Sequence, residues 1–170
     1  MTTPVSREEA LSFTLADEYA AIYGYGLIAA ALTGVPRRRA QSAIDVHRVR
    51  RDQLRKTVIA IGQAPPNPAA AYEPPTPIDT AASAIALATQ IENELSGSYS
   101  QLAAQSLGAD RRAAALAAQE TAVRAAAWSS STPAFPGSTA SAIAETETAT
   151  TRPTTPGPAT STAETSPTAG

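Results

Sequence analysis

Hydrophobic residues recur at intervals of four and three along four stretches of the chain, which is the pattern of a helix with one buried face. In the first stretch this face is formed by Leu11, Leu15, Glu18, Ile22, Tyr25 and Ala29. Glu18 lies in the middle of the face, and an unpaired buried carboxylate is costly. We therefore expect polar side chains from other helices to surround Glu18.

Residues that favour helix ends delimit four predicted helices. Ser6 and Glu9 form a capping box for the first, Pro36 suits the first turn of the second, and Asp79 and Asp110 are N-caps for the third and fourth. The predicted helices end near Leu32, Gly62, Leu107 and Trp128. The predicted buried faces are Ala40, Ile44, His47, Arg51, Leu54, Val58 and Ile61 in the second helix, Ala81, Ile85, Ala88, Glu92, Leu95, Tyr99 and Leu102 in the third, and Ala113, Leu116, Glu120, Val123 and Ala127 in the fourth.

The second and third helices are separated by residues 63–78, which are rich in proline. Proline excludes a helix there and favours an extended chain, and the segment is long enough to run from one end of a bundle to the other. The sequence therefore predicts an all-α fold over residues 6–131, an antiparallel four-helix bundle with a long proline-rich crossover. Residues 132–170 consist mainly of Ser, Thr, Pro, Ala and Gly, so we expect a disordered tail.

Composition excludes several classes of function. A net charge of -2 and a pI near 5.4 argue against a nucleic-acid or anionic-membrane partner. The chain has no cysteine and one histidine, so disulfides, thiolate sites and multi-histidine metal sites are excluded. No stretch approaches the roughly 20 apolar residues of a membrane span, and the amino terminus becomes acidic where a signal peptide is apolar. We expect a cytoplasmic protein.

The number of residues between each polar side chain and the nearest predicted turn indicates which polar residues of the buried faces lie at the same level. Counted from the predicted turns, Glu18 lies level with Arg51 and Glu92 lies level with Arg124, about 22 Å from the turn at a 1.5 Å rise per residue. The two intervals are nearly equal, which indicates a degenerate internal repeat. The sequence thus predicts two buried ion pairs, Glu18–Arg51 and Glu92–Arg124, and removing one partner would cost about 3–5 kcal/mol.

Several short runs resemble an actinobacterial ferritin-like domain of unknown function. They are the runs at 18–26, 47–52, 70–72 and 122–128, and the resemblance covers roughly residues 8–128. It implies the ferritin-like fold of the rubrerythrins, whose di-iron sites take a Glu from each odd helix and Glu-x-x-His from each even helix. Glu18 and Glu92 match the odd-helix ligands, whereas Arg51 and Arg124 begin the runs expected to supply Glu-x-x-His.

Three functional hypotheses follow. The first is a metal-free, non-enzymatic binding or interaction module with no cofactor. Its partner is unknown, and one candidate arrangement is a homodimer. The second is a metal-dependent oxidoreductase or iron-handling protein, in which Glu18, His47, Glu92 and Glu120 hold iron or manganese after a shift of one helical turn. The third is a small anion bound between Arg51 and Arg124. The arginines favour the first, because a guanidinium cannot ligate a metal.

Overall fold

The chain forms four α-helices and no strand over residues 5–129, which are the residues that the structure, a computed structural model, describes. The helices are α1 (Arg7–Ala31), α2 (Gly34–Ala60), α3 (Ala81–Gln105) and α4 (Gly108–Ser129). The prediction of an all-α fold is thereby confirmed. The predicted tail over residues 132–170 lies outside the described residues.

Local sequence explains where the helices begin. The capping box of α1 is present as predicted, with Ser6 Oγ accepting from the Glu9 amide at 3.1 Å. The predicted cap of α3 was wrong, because Thr80 rather than Asp79 caps this helix through a capping box with Ser83. Asp110 lies inside the first turn of α4 instead of capping it, and it pairs with Arg7 of α1 at 2.8 Å.

The connections within each pair of helices are very short. Only Leu32 and Thr33 separate α1 from α2, and two residues likewise separate α3 from α4. α2 and α4 both begin at a glycine with positive φ, +60° at Gly34 and +55° at Gly108, a conformation that residues with a Cβ rarely adopt. α2 therefore begins two residues before the predicted Pro36, which changes the level of every side chain along it.

Neighbouring helices pack antiparallel. α1 packs against both α2 and α3, and α3 packs against α4. α2 and α4 are joined mainly by long side chains, since Arg39 donates to the Ala127 carbonyl at 2.9 Å and Arg50 pairs with Glu120. Residues 61–80 connect α2 to α3 without helix or strand, and Tyr72 of this segment lies beside Tyr23 of α1.

The buried faces differ from the prediction mainly in α4. Its buried residues are Ala114, Ala118, Thr121, Ala125 and Trp128. The predicted face was wrong, because Leu116 and Val123 are 55% and 62% exposed. Alanine occupies nearly half of α4 and fits either face, so the few large residues did not mark the buried one. In α2, Arg50 rather than Arg51 is buried.

Two clusters of hydrophobic side chains form the core. One contains Leu15, Leu95 and Leu102, and the other contains Ile28 and Trp128. The inward polar residues lie between these clusters, where water has little access. None of the helices within residues 5–129 has the length and hydrophobicity needed to cross a membrane.

Candidate functional site

A buried polar network occupies the middle of the bundle and joins all four helices. Glu18, His47 and Glu92 are each 0% exposed. Glu18 and His47 lie equally far from the Leu32–Thr33 connection, one before it and one after it. Because α1 and α2 run antiparallel from that connection, the two side chains reach the same level of the bundle.

His47 bridges the two acids. Its Nδ1 lies 2.8 Å from Glu18 Oε2, and its Nε2 lies 3.4 Å from Glu92 Oε1. Only a protonated imidazole donates from both ring nitrogens. Burial alone would lower the pKa of His47, but the hydrogen bonds to Glu18 and Glu92 and the charges of these carboxylates raise it above its usual value. The two contacts and the raised pKa both favour the imidazolium form of His47 between the two carboxylates.

Glu92 accepts further hydrogen bonds at the same oxygen. Tyr25 Oη donates to Glu92 Oε1 at 2.7 Å, and Arg124 Nε donates to it at 2.7 Å. Burial would raise the pKa of Glu92, but hydrogen bonds and charges from His47 and Arg124 hold it below its usual value. Trp128 Nε1 donates to Tyr25 Oη at 3.0 Å, which extends the network to the end of α4.

A second tyrosine serves Glu18 in the same way. Tyr99 Oη donates to Glu18 Oε1 at 2.6 Å, while the guanidinium of Arg50 lies 5.4 Å from the centre of the Tyr99 ring. Burial and the neighbouring carboxylates raise the pKa of Tyr25 and of Tyr99 far above the usual value, so both hydroxyls stay protonated donors. The seven residues linked in this way, which we call the core network, are Glu18, Tyr25, His47, Glu92, Tyr99, Arg124 and Trp128.

The two tyrosines are related by an internal repeat. Tyr25 follows Glu18 by seven residues on α1, and Tyr99 follows Glu92 by the same interval on α3. Each tyrosine donates to the glutamate of the other helix. This reciprocal pairing holds α1 and α3 together, and the repeated spacing is a signal that was visible in the sequence.

The structure does not bring Arg51 to Glu18. Arg51 is 28% exposed and pairs with Asp52 at 2.9 Å. His47 takes the predicted place of Arg51, because α2 begins at Gly34 and every residue of α2 therefore sits further along than expected. The hypothesis of an anion between Arg51 and Arg124 also has no support from this geometry, because Arg51 pairs with Asp52 instead of facing the core.

Arg124 does lie on Glu92, but through one hydrogen bond. Nε makes the contact, while Arg124 Nη2 and Glu92 Oε2 are buried without a hydrogen-bond partner among the described residues. The pair is therefore weaker than the two-bond fork that a guanidinium forms with a carboxylate at best.

The four residues of the metal hypothesis are only partly brought together. Glu18, His47 and Glu92 meet, but the side chain of Glu120 is 63% exposed and pairs with Arg50 at the surface. Within residues 5–129, no group of three or more His, Cys, Asp or Glu side chains has a geometry that would hold a metal ion. An imidazolium that donates from both nitrogens has no lone pair for a metal, so these residues do not fit one as they are arranged.

A cavity lies on another side of the bundle, between α1, α3 and the connecting segment 61–80. Its volume is ≈ 170 Å³. The rings of Tyr23 and Tyr72 stand at its wall with centres 5.6 Å apart and planes tilted by 53°. Gly24 lies beside them, and a Cβ there would come within 2.6 Å of Ile91 Cδ1, so α1 and α3 approach closely at this point.

Carboxylates supply the charge of this cavity. Asp17, Glu73 and Glu94 line it, and Asp17 accepts a hydrogen bond from Ser98. Burial raises the pKa of Asp17, the bond from Ser98 opposes this, and the nearby Glu94 and Glu18 raise the pKa further. No Lys, Arg or His side chain among the described residues lines the cavity, so these carboxyl groups have no basic partner within it.

Comparison with known proteins relates the whole bundle to one family. The family described as a domain of unknown function (DUF4439) matches residues 10–140. The chain is also similar to the crystal structure of a conserved hypothetical protein, Rv2844, from Mycobacterium tuberculosis, with 32% identity and a TM-score of 0.71. That match covers 75% of this chain and 98% of the other. A comparison with curated proteins finds no match.

Proposed function

The chain belongs to the family described as a domain of unknown function (DUF4439), and from that premise we propose that it is a metal-free, ferritin-like bundle that works as a non-enzymatic binding module. The observation that carries the proposal is the bridging position of His47. Its two ring nitrogens face Glu18 Oε2 and Glu92 Oε1, at 2.8 Å and 3.4 Å. A proton on each nitrogen gives both acids a donor and leaves neither ring nitrogen free to ligate a metal.

The direction of the helices supports the ferritin-like part of the proposal. α2 and α4 are each antiparallel to the helix before them, and α3 is antiparallel to α1, as the contacts of Tyr25 with Glu92 and of Tyr99 with Glu18 require. α2 and α3 then run in the same direction. Residues 61–80 must therefore return along the length of the bundle, as the long crossover of a ferritin-like fold does.

The spacing of the polar residues supports the metal-free part. His47 follows Glu18 by 29 residues, and Thr121 follows Glu92 by the same interval. If these are the positions of the two histidines in a di-iron bundle, the Glu of each Glu-x-x-His falls at Ile44 and Ala118. Three of the six ligand positions then carry residues that do not ligate iron, since the Thr121 hydroxyl bonds to carbonyls of its own helix.

A closed core favours binding on the surface of the bundle over binding inside it. The core network is surrounded by the two hydrophobic clusters, and its acids already have donors. The cavity between α1, α3 and the connecting segment, by contrast, opens outward and is lined by apolar and acidic side chains. We assign ligand binding to this cavity.

The metal content of the full chain tests the proposal. We expect no stoichiometric iron, manganese or zinc in protein purified without a metal-affinity tag from cells grown with these metals. The matched control is Glu18→Gln, which keeps the side-chain volume while removing a carboxylate, with circular dichroism to verify folding. About one metal ion per chain in the parent protein, lost in the variant, would overturn the proposal.

A divergent iron- or manganese-dependent oxidoreductase or iron-handling protein is the second candidate, because Glu18, His47 and Glu92 do converge. Such a site would require His47 to lose a proton and Arg124 to leave Glu92, since His47 now faces Glu18 Oε2 and Arg124 donates to Glu92 Oε1. Glu92 Oε2 has no hydrogen-bond partner among the described residues. The site would also need a ligand to replace Glu120, which pairs with Arg50. The same metal analysis separates this candidate from the first.

A further inference from the structure

The cavity between α1, α3 and the connecting segment is small enough to limit the size of its ligand. Its volume is ≈ 170 Å³. An engineered protein cavity of about 150 Å³ holds benzene, so the body of a fitting ligand is about one six-membered ring in size. Ligand sites for drug-sized molecules are about 300–1,000 Å³, which excludes nucleotides and other large cofactors here.

The wall of the cavity is apolar and aromatic. Leu27 and Ile91 contribute aliphatic surface, and Tyr23 and Tyr72 contribute two rings set at an angle to each other. Tyr23 is 37% exposed, so the wall can be reached from solvent. The face of an aromatic ring carries negative potential and attracts cations. The aromatic wall therefore favours a positively charged ligand group over a negative one.

The charges around the cavity have the same preference. Asp17, Glu73 and Glu94 come from α1, the connecting segment and α3, so carboxylates face the cavity from every element that forms it. Among the described residues that line the cavity there is no Lys, Arg or His. An anionic ligand would meet only repulsion, and a neutral apolar ligand would leave the carboxylates without a counter-charge.

We propose that this cavity binds a small organic cation, a protonated amine carried on an apolar ring or branched chain. The apolar body lies against Leu27 and Ile91, and the ammonium group lies between the tyrosine rings and the carboxylates. The proposal rests on the proposed function, because it names the ligand class of the binding module.

The test is an NMR titration of the isotope-labelled full chain with three ligands of one shape and different charge. Benzylamine is a cation at neutral pH, benzyl alcohol is its neutral counterpart, and benzoate is an anion. We expect benzylamine to shift the amide signals of residues that line the cavity. Benzyl alcohol should bind about tenfold more weakly, as loss of a cation–π contact and a counter-charge predicts, and benzoate should cause no shift there.

Charge-removing variants locate the cation. Glu94→Gln changes an exposed residue of the wall, and Asp17→Asn keeps an oxygen that can accept from Ser98. Each should weaken benzylamine binding by about three- to fivefold, the effect of one partly solvated ion pair. Glu8→Gln is the matched control, since Glu8 is exposed on the first turn of α1 and does not line the cavity. It should leave binding unchanged.

A steric variant tests the location independently of charge. Ala20 lines the cavity and is only partly buried, so Ala20→Phe should fill the space and abolish the benzylamine shifts while circular dichroism stays helical. Equal binding of benzylamine and benzyl alcohol would overturn the cation proposal. Shifts that map away from the cavity, or no shift with any ligand, would also overturn it. Stoichiometric metal would instead overturn the proposed function, so the two failures are distinguishable.

Discussion

The two helical hairpins, α1–α2 and α3–α4, each bury a glutamate at the same level but neutralise it differently. In the first, Glu18 meets His47 from the facing helix, and both side chains are 0% exposed. In the second, Glu92 meets Arg124, whose side chain is 22% exposed and reaches in from the edge. Thr121 stands at the position equivalent to His47 and bonds only within α4. One buried imidazolium therefore serves both glutamates, and the second hairpin adds a cation only at its margin.

Replacing the shared imidazolium should have the largest effect. His47→Ala leaves Glu18 and Glu92 facing each other without the cation between them, and we expect the free energy of unfolding to fall by about 3–5 kcal/mol. Urea unfolding at neutral pH measures the loss. Arg51→Ala is the matched control, because it also removes a cation from α2 but breaks only a partly exposed pair, worth about 0–1 kcal/mol. Similar losses in the two variants would refute the bridging role of His47.

The reciprocal tyrosines give the next largest effect and compare the hairpins directly. Tyr99→Phe removes the donor to Glu18 and Tyr25→Phe removes a donor to Glu92, so we expect each to lower the free energy of unfolding by about 1.5–3 kcal/mol. The loss should be greater for Tyr25→Phe, because Trp128 Nε1 also loses its acceptor. The more exposed Tyr23→Phe is the control. If both variants lost no more stability than Tyr23→Phe, the reciprocal pairing of the tyrosines with the glutamates would not stabilise the bundle.

The smallest expected effect is on the pH dependence of stability, which should differ between the contributions of His47 and Arg124. The pKa of His47 is raised in the folded chain, so its contribution to stability is complete below about pH 6.5 and is lost as the pH rises through the folded pKa. The stability difference between the parent and His47→Gln should therefore shrink as the pH is raised above about 6.5. Arginine stays charged in this range, so the difference between the parent and Arg124→Met should stay constant.

One measurement on the parent protein verifies the assignment. His47 is the only histidine of the chain, so its imidazole NMR signals need no further assignment. They should remain those of the protonated ring at pH values above the usual pKa of about 6.5. An imidazole that titrates at or below that value would show that the bridge between Glu18 and Glu92 is neutral. The pKa of Glu92 is lowered, so loss of its contribution belongs to acid pH, below the window used here.

The sequence was sufficient for the helices and for the buried faces of α1 and α3. Large residues such as Leu15 and Leu95 mark those faces clearly, and Glu18 and Glu92 lie on them. The face of α4 was not predictable in this way, because alanine fits either side and the large Leu116 and Val123 are outside. In α4, therefore, the pattern of hydrophobic and polar positions did not distinguish the buried face from the exposed face.

The core network was predictable only in part, because it depends on the length of one turn. Counting from the predicted helix ends placed Arg51 level with Glu18, whereas the Leu32–Thr33 connection brings His47, four residues earlier, to that level. Arg50 was not part of the predicted buried face of α2, although its side chain is buried and its guanidinium lies near the Tyr99 ring. The four residues between His47 and Arg51 are about one helical turn, so small errors at the ends of α1 and α2 were enough to change the level of a side chain.

The reciprocal pairing of α1 and α3 makes the two hairpins dependent on each other during folding. Glu18 lies in the first hairpin and obtains its tyrosine from the second, while Glu92 obtains its tyrosine from the first. A hairpin that formed alone would expose an apolar face with an ionised acid in its middle. Each half therefore depends on the other to bury its acid, and we expect folding and unfolding to be cooperative. The connecting segment keeps the local concentration of one half high around the other, and the docking of the halves becomes the decisive step.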